Sequence, residues 1–329
     1  MASPELLAYV REVAEEFVRD MEAGAARTRN WGDLKPARKL VAAAIEKSLA
    51  SLAATNLWGK ANQVPSSELW NVAGDWLEQG RLQLRARQKP RGYAGDDLML
   101  TQIYERTVSD TALGRLFDEY FQALDAPEAV RGRICYAAKA IQAAAQQCRA
   151  DEFRLTCIGA GPAIEVQLAL QDWPAEAPPA RVTLLDLDQE ALDRAGARLA
   201  SLLPHDRLHA VRENLFRLPR DAAKGAILDE ADFLVCLGLL DYLETGDAAA
   251  MLGLFWQSLN PHGTLLVGNF APHCKSRAYM EWIGAWYLIY RTEEQLAALA
   301  GAAGIPREAC TIESDPTGVD LLLRATRSG

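Results

Sequence analysis

The chain has 329 residues, of which 50% are hydrophobic and 24% are charged, so it is long enough and apolar enough to bury a full-sized core. This composition excludes disordered and collagen-like proteins. The 35 Lys and Arg residues against 44 Asp and Glu residues give a formal net charge of -9, which lacks the positive surface that nucleic-acid backbones require. We therefore expect a small-molecule substrate and no nucleic-acid partner.

The expected compartment is the cytoplasm. The first residues lack the basic-then-apolar layout of a secretory signal, and no long uncharged apolar stretch indicates a membrane-spanning helix. The six cysteines include no CxxC pair, so the sequence predicts neither a disulfide framework nor a zinc site. Reduced thiols that serve as small core residues are the simpler interpretation.

Amphipathic helical periodicity fills the first part of the chain. Besides a helix after Pro36, it predicts helices over residues 4–26, 68–87, 98–105, 111–124 and 127–149. The segment 88–97, QKPRGYAGDD, interrupts this pattern with residues that are typical of loops. The sequence therefore predicts an all-helical N-terminal domain over residues 1–150.

At Phe153 the periodicity changes to short apolar runs that are rich in β-branched residues. These runs cover residues 154–159, 181–186, 207–214, 232–238 and 264–270, and helical patterns lie between them at 162–171, 189–203 and 248–259. Such alternation predicts βαβ units and a parallel sheet with helices on both faces. Residues 151–329 are thus expected to form a Rossmann-like α/β domain.

A glycine turn follows the first apolar run. Gly159 permits the tight turn, Gly161 lets a ligand approach the backbone, and Pro162 suits the first helical position. The second run ends in Asp186, where a carboxylate can accept the ribose hydroxyls of an adenosine ligand. Ile164 holds the place of the third glycine of dinucleotide sites, so S-adenosylmethionine (SAM), which has no phosphate, is the predicted ligand.

Two more segments are expected beside this ligand. Asn214 and Leu215 follow the third run and offer an amide and an apolar contact to the adenine. Gly238 follows the fourth run, at the carboxyl edge where ligands of open α/β sheets bind. Asp241 either caps a helix there or faces the site.

The sequences GAGPAIEV, LLDLDQEAL, ENLF, GLLDYL and LNPHGTLLVGNF together resemble the motif series of class I SAM-dependent methyltransferases. PRGYAGDDLMLTQIY and SRAYMEWIGAWYLIYRTEEQL further resemble the family of extracellular-factor or 3-hydroxypalmitic acid methyl ester biosynthesis proteins, over roughly residues 88–300. This resemblance implies a mostly parallel seven-stranded sheet and methylation of a fatty acid carboxylate.

The resemblance also assigns residue roles by position. It implies that SAM contacts Gly159, Gly161, Asp186 and Asn214, and Leu215 and Gly238 are expected beside them from their places after the strands. It places Tyr93, Asp96, Tyr242, Tyr287 and Tyr290 near the reacting centre, together with Trp286, which is expected to contact the substrate. A basic residue is needed to orient the acceptor carboxylate, and the candidates within the resembling segments are Arg91, Arg277 and Arg291. The loop 88–97 is expected to fold over the SAM site as a lid. One departure is Ala271, where the family reads NFHP, so the histidine of that motif is missing and the nearest one is His273.

The chemistry needs little from the protein beyond positioning. Methyl transfer from a sulfonium is an in-line displacement with a good leaving group, and aromatic faces suit the positive sulfur. A carboxylate acceptor, with a reference pKa of about 4, is already ionised and requires no strong base. His205, His209 and His262 are expected at the surface, and no metal site or hydrolase or kinase motif is present.

Two alternatives stay open beside methyl transfer. Azetidine-2-carboxylate synthases resemble methyltransferases but let the α-amine of SAM attack its own γ-carbon, which releases methylthioadenosine. A non-catalytic SAM-binding regulatory protein would keep the same glycine turn. Homodimer formation is also left open by the sequence.

Overall fold

The computed structural model describes residues 2–220, 226–228 and 230–329 and divides into two compact units. The first unit comprises Met1–Glu128 and Lys275–Leu288, and the second comprises Ala129–Cys274 and Ile289–Gly329. These units differ from the expected domains, because most of the long helix before the sheet packs on the sheet and because residues 275–288 join the helical unit. Whether residues 1–150 and 151–329 fold as separate domains stays a prediction.

Six helices form the first unit together with the start of a seventh. They are α1 (Pro4–Arg27), α2 (Leu34–Ala53), α3 (Gln63–Leu77), α4 (Arg81–Gln88), α5 (Asp97–Tyr104), α6 (Ala112–Gln122) and the beginning of α7 (Asp125–Gln147). The expected single helix over 68–87 is wrong, since α3 and α4 are separate helices. A side chain at Gly80, between them, would meet Cβ of Phe117 at 2.8 Å, so this turn depends on a residue without one.

The second unit contains one seven-stranded sheet in the order β3-β2-β1-β4-β5-β7-β6. Its strands are β1 (Phe153–Ile158), β2 (Ala180–Asp186), β3 (Leu208–Arg212), β4 (Ala231–Cys236), β5 (Leu259–Phe270), β6 (Cys310–Ser314) and β7 (Asp320–Thr326). The first five strands are parallel, and β7 runs antiparallel to both β5 and β6. The five predicted runs are confirmed as strands, whereas β6 and β7 had not been assigned to particular residues.

Helices cover both faces of this sheet, as the βαβ alternation predicts. They are α7, α8 (Ile164–Gln171), α9 (Gln189–Leu199), α10 (Thr245–Gln257) and α11 (Glu293–Ala302). Successive strand residues point to opposite faces: Phe233 and Val235 pack with α7, α8 and α9, whereas Leu234 and Cys236 pack with α10 and α11. This doubly covered sheet brings the carboxyl ends of β1, β2 and β4 to one central edge.

Candidate active site

The backbone between β1 and α8 forms a tight turn that depends on left-handed conformations. Gly159, Gly161 and Ala163 have φ values of +62°, +48° and +51°. Ala163 therefore precedes the helix, and α8 begins at Ile164. The expectation that Pro162 occupies the first helical position is wrong. Ala163, which follows it, has a left-handed backbone, so the helix begins only after Ala163.

Asp186, the last residue of β2, ties this turn to the neighbouring strand. Its Oδ2 accepts a hydrogen bond from the Gly161 N–H at 2.8 Å, and its Oδ1 accepts one from the Asp188 N–H at 2.9 Å. Burial raises the pKa of the Asp186 carboxyl, although backbone hydrogen bonds from Asp188, Gly161 and Leu187 oppose the shift. An ionised carboxylate has about four acceptor positions, so it can accept hydrogen bonds from a ligand in addition to those from the Gly161 and Asp188 N–H groups.

Apolar side chains surround the same turn. A Cβ atom at Gly159 would lie 3.7 Å from Leu215 Cδ1, so the segment after β3 lies against the turn. Asn214 uses its Oδ1 to accept the Phe216 N–H at 3.1 Å. Among the described large hydrophobic side chains of the second unit, Leu187, Phe216 and Ile227 are exposed. Two of these flank the Asp186 carboxylate and Asn214 in sequence and offer apolar contacts to a flat ring.

A cluster of buried charges lies beyond the end of β4. Arg133 donates to Asp320 Oδ2 at 3.0 Å, and one of its guanidinium nitrogens would lie 3.4 Å from a Cβ at Gly238. Burial, followed by repulsion from Asp320, raises the pKa of Asp241 to about 7. Burial also raises the pKa of Asp320 to about 6, against the attraction of Arg133. Sequence analysis missed Arg133 and Asp320, since neither lies in a recognisable motif.

Asp241 was expected either to cap a helix or to face the site. Its side chain bonds to the backbone of β5 and caps no described helix. Its Oδ1 accepts the N–H of Phe270 at 2.8 Å, which ties the turn after β4 to the end of β5. Arg291 supports the same turn: its buried guanidinium donates to the carbonyls of Leu240 and Leu243 and to Asn269 Oδ1. These contacts leave Arg291 a positioning role, and its assignment to the substrate stays a prediction. Tyr242 and Tyr290 are both half-buried in this unit.

The remaining predicted residues lie in the first unit. Arg91 and Tyr93 are half-buried in the loop 88–97, Trp286 is buried and Tyr287 is half-buried. Asp96 is fully buried, caps α5 by accepting the Met99 N–H at 2.8 Å, and forms a two-point ion pair with Arg85 at 2.8 and 2.7 Å. Both of its oxygens are thus engaged in structure, and its proposed catalytic role stays untested.

The histidines are placed as the sequence suggests. His205, His209 and His262 are exposed, which confirms the surface prediction. Ala271 is buried where the family has its histidine, and His273 is exposed with Nε2 2.9 Å from the carbonyl of Gly318. The structure thus places His273 on a loop carbonyl at the surface.

Among the described residues, no cluster of three or more His, Cys, Asp or Glu side chains has the geometry to hold a metal ion. Within residues 2–220, 226–228 and 230–329, every helix is too short or too polar to cross a bilayer.

Comparison with known proteins identifies the fold class. No protein-family model matches the sequence, and no curated protein matches it. A solved carbon methyltransferase, CurJ, is 13% identical, with a TM-score of 0.54 over 99% of this chain and 93% of its own. A structure described as a possible exported protein from Bordetella parapertussis is 19% identical, with a TM-score of 0.56 over 71% of this chain and 80% of its own.

The architecture is therefore a methyltransferase-like α/β fold: a seven-stranded mixed sheet with an antiparallel β7, preceded by a helical region. The predicted fold class is confirmed. At these identities the likeness concerns the fold alone.

Proposed function

We propose that this protein uses SAM and transfers its methyl group to the carboxylate, or another heteroatom, of a small or fatty acid. The observation that carries the proposal is the contact between the glycine turn and Asp186: the Gly161 N–H is bonded to a buried carboxylate at the carboxyl edge of the central strands. The further resemblance to fatty acid carboxylate methyltransferases supports the choice of acceptor.

The residues present fit an adenosine ligand. The free acceptor positions of Asp186 suit two ribose hydroxyls, since the carboxylate is already oriented by two backbone donors. Leu187, which follows Asp186 in sequence, and Phe216, which follows β3, are exposed and suit an adenine ring. The left-handed Gly159 and Gly161 leave the backbone open to close approach.

SAM supplies a methyl group that a positive sulfur activates. An oxygen of the acceptor carboxylate attacks the methyl carbon, the carbon–sulfur bond breaks, and its electron pair stays on sulfur, so that a neutral thioether and a methyl ester result. No proton has to be removed, because the acceptor is ionised near neutral pH. The protein has to bind both partners, align them and exclude water.

One observation favours testing the second candidate function, the intramolecular cyclisation of SAM, beside methyl transfer. Ala271 stands in place of the family histidine, and His273 is bonded to a loop carbonyl. A site without that histidine is compatible with a reaction in which no second substrate has to be positioned.

The deciding experiment measures the nucleoside product. We would incubate the full chain with SAM alone and then with a panel of 3-hydroxy acids and amino acids, and identify products by mass spectrometry. S-adenosylhomocysteine that forms only with an acceptor is the expected result. Methylthioadenosine from SAM alone would assign the cyclase reaction instead, and SAM binding without either product would assign a regulatory protein.

A further inference from the structure

Two neighbouring basic side chains of the first unit, Arg87 and Lys89, have no carboxylate partner among the described residues. Arg87 lies in the last turn of α4, and Lys89 follows it in a left-handed conformation with φ +49°. Both are half-buried, and neither forms an ion pair with any described residue. Burial lowers the pKa of both groups, and the charge of Arg87 lowers the pKa of Lys89 further. Like charges that are held together away from water call for an anion.

Aromatic rings hold these two cations in place. The Arg87 guanidinium lies 5.1 Å from the centre of the Trp70 ring, and Lys89 Nζ lies 5.5 Å from the centre of the Tyr287 ring. Arg87 also donates to Ser66 Oγ, a side chain of zero exposure on the first turns of α3. Contacts within the first unit therefore hold both the Arg87 and the Lys89 side chains in defined positions.

Glu281, whose charge acts on the Tyr287 hydroxyl beside Lys89, is already engaged. Glu281 Oε2 accepts the Gly59 N–H at 2.6 Å, and its Oε1 accepts from Arg277 Nε at 2.8 Å. Arg277 in turn lies over the Trp58 ring at 4.5 Å. The predicted candidate Arg277 is thus paired with Glu281, whereas Arg87 and Lys89 form no ion pair within the part of the chain that the structure describes.

A second, independent observation points to a polar ligand at the same place. Asn62 is completely buried, and neither its amide oxygen nor its amide nitrogen has a hydrogen-bond partner among the described residues. Trp282 is also completely buried, and its indole N–H lacks a partner within the same described set. Both flank Ser66: Asn62 precedes it by one helical turn, and Ser66 Oγ donates to the Trp282 carbonyl at 2.9 Å. Buried polar atoms in folded proteins nearly always have partners.

We propose that Arg87 and Lys89 bind the carboxylate of the acceptor acid, and that Asn62 and Trp282 bind a neutral polar group next to it. A guanidinium and an ammonium on one side of a ligand match a carboxylate, whereas an amide and an indole N–H match a hydroxyl. This inference rests on the proposed function for the identity of the ligand, but the binding site itself is a property of the first unit.

Direct binding to the full chain tests the proposal without turnover. The probes are 3-hydroxyoctanoate and its uncharged amide, and the variants are Arg87→Gln, Lys89→Gln and Lys60→Gln, each measured by calorimetry. Lys60 is the matched control, because it is exposed on the turn before α3 and its loss changes the net charge equally. We expect the acid to bind and the amide not to bind. Each of the first two variants should weaken acid binding at least about tenfold, and Lys60→Gln should leave it unchanged.

A parallel titration with S-adenosylhomocysteine separates this proposal from the proposed function. If the wild-type protein binds the acid but not the nucleoside, the carboxylate site stands and SAM use fails. The carboxylate site is overturned if the wild type does not distinguish acid from amide, or if Arg87→Gln and Lys89→Gln weaken nucleoside binding and leave acid binding intact. Should Arg87→Gln fail to fold, Lys89→Gln decides alone, since Lys89 follows the last residue of α4 and its hydrogen bonds to the described residues are made by its backbone, which the substitution keeps.

Discussion

Replacing Asp186 with alanine is expected to weaken SAM binding by about 1 to 3 kcal/mol, or about 5- to 150-fold in the dissociation constant. The magnitude follows from the lone pairs of the carboxylate. Gly161 and Asp188 take one acceptor position on each oxygen, at 2.8 and 2.9 Å, and one position on each oxygen stays open for a ribose hydroxyl. A hydrogen bond to a charged group contributes about 1.5 to 3 kcal/mol, and water restores part of the loss in the variant.

A graded series makes this prediction sharper. Asp186→Asn keeps one oxygen to accept the Gly161 N–H but loses the charge, so its SAM affinity should lie between those of the wild type and Asp186→Ala. Burial raises the pKa of the Asp186 carboxyl, so protonation should weaken SAM binding by the wild type under acidic conditions. Asp186→Asn should lack that particular pH dependence.

The assay is calorimetric titration of SAM into protein whose fold is checked by circular dichroism. Asp193→Asn, on the exposed side of α9, is the matched control, because it removes the same charge close by and should bind SAM like the wild type. A folded Asp186→Ala protein with an unchanged SAM dissociation constant would refute the ribose assignment. If Asp186→Ala and Asp193→Asn lose the same SAM affinity, the effect comes from the removed charge at long range and not from a contact of Asp186 with the ribose.

Four further predictions concern single side chains. The pKa of Asp241 is raised from 3.8 to about 7, so the folded state binds this proton more tightly and stability falls as pH rises through that window. Asp241→Asn should therefore be more stable than the wild type at pH 8 but not at pH 4, as urea titrations at both pH values will show. Arg85→Met leaves the buried Asp96 carboxylate unpaired and should lower the free energy of unfolding by about 3 kcal/mol, whereas no loss would mean that the ion pair contributes nothing. Gly159→Ala has space for its Cβ but must adopt φ +62°, so it should cost about 1 to 2 kcal/mol in the same assay. Tyr93→Ala should impair SAM binding or turnover if the loop 88–97 is a lid, and unchanged affinity and rate would count against that role.

The SAM part of the site could be predicted because its signals are local. A strand that ends in two glycines and a second strand that ends in an acid define the turn and Asp186 without any knowledge of tertiary packing. The same local logic failed at Pro162, where the left-handed Ala163 delays the helix. The prediction of one helix across Gly80 was also wrong. Helical periodicity does not show that the backbone at Gly80 packs closely against Phe117 of α6.

The charged parts of the candidate sites could not be predicted for a different reason. Arg133 and Asp320 are separated by 187 positions and meet only because β7 returns beside β5. Arg277 pairs with Glu281, whereas Arg87 pairs with no carboxylate of the described residues. Ion pairs form only in the folded chain. A sequence therefore shows which Arg and Lys residues are present, but not which of them have a carboxylate partner.

The first unit is made of two separate segments of the chain, and this limits how it can be exchanged between genes. The chain leaves the first unit at Glu128, re-enters it at Lys275 and departs again after Leu288. A truncated protein that ends at residue 128 would lose Ser276, whose hydroxyl accepts the Ala126 N–H, and the Glu281 carboxylate, which accepts the Gly59 N–H. Genetic exchange of the helical unit must therefore move two separate gene segments together. A single crossover would pair one protein's helices with another protein's Glu281 and Trp282, so the two segments are expected to be inherited as one.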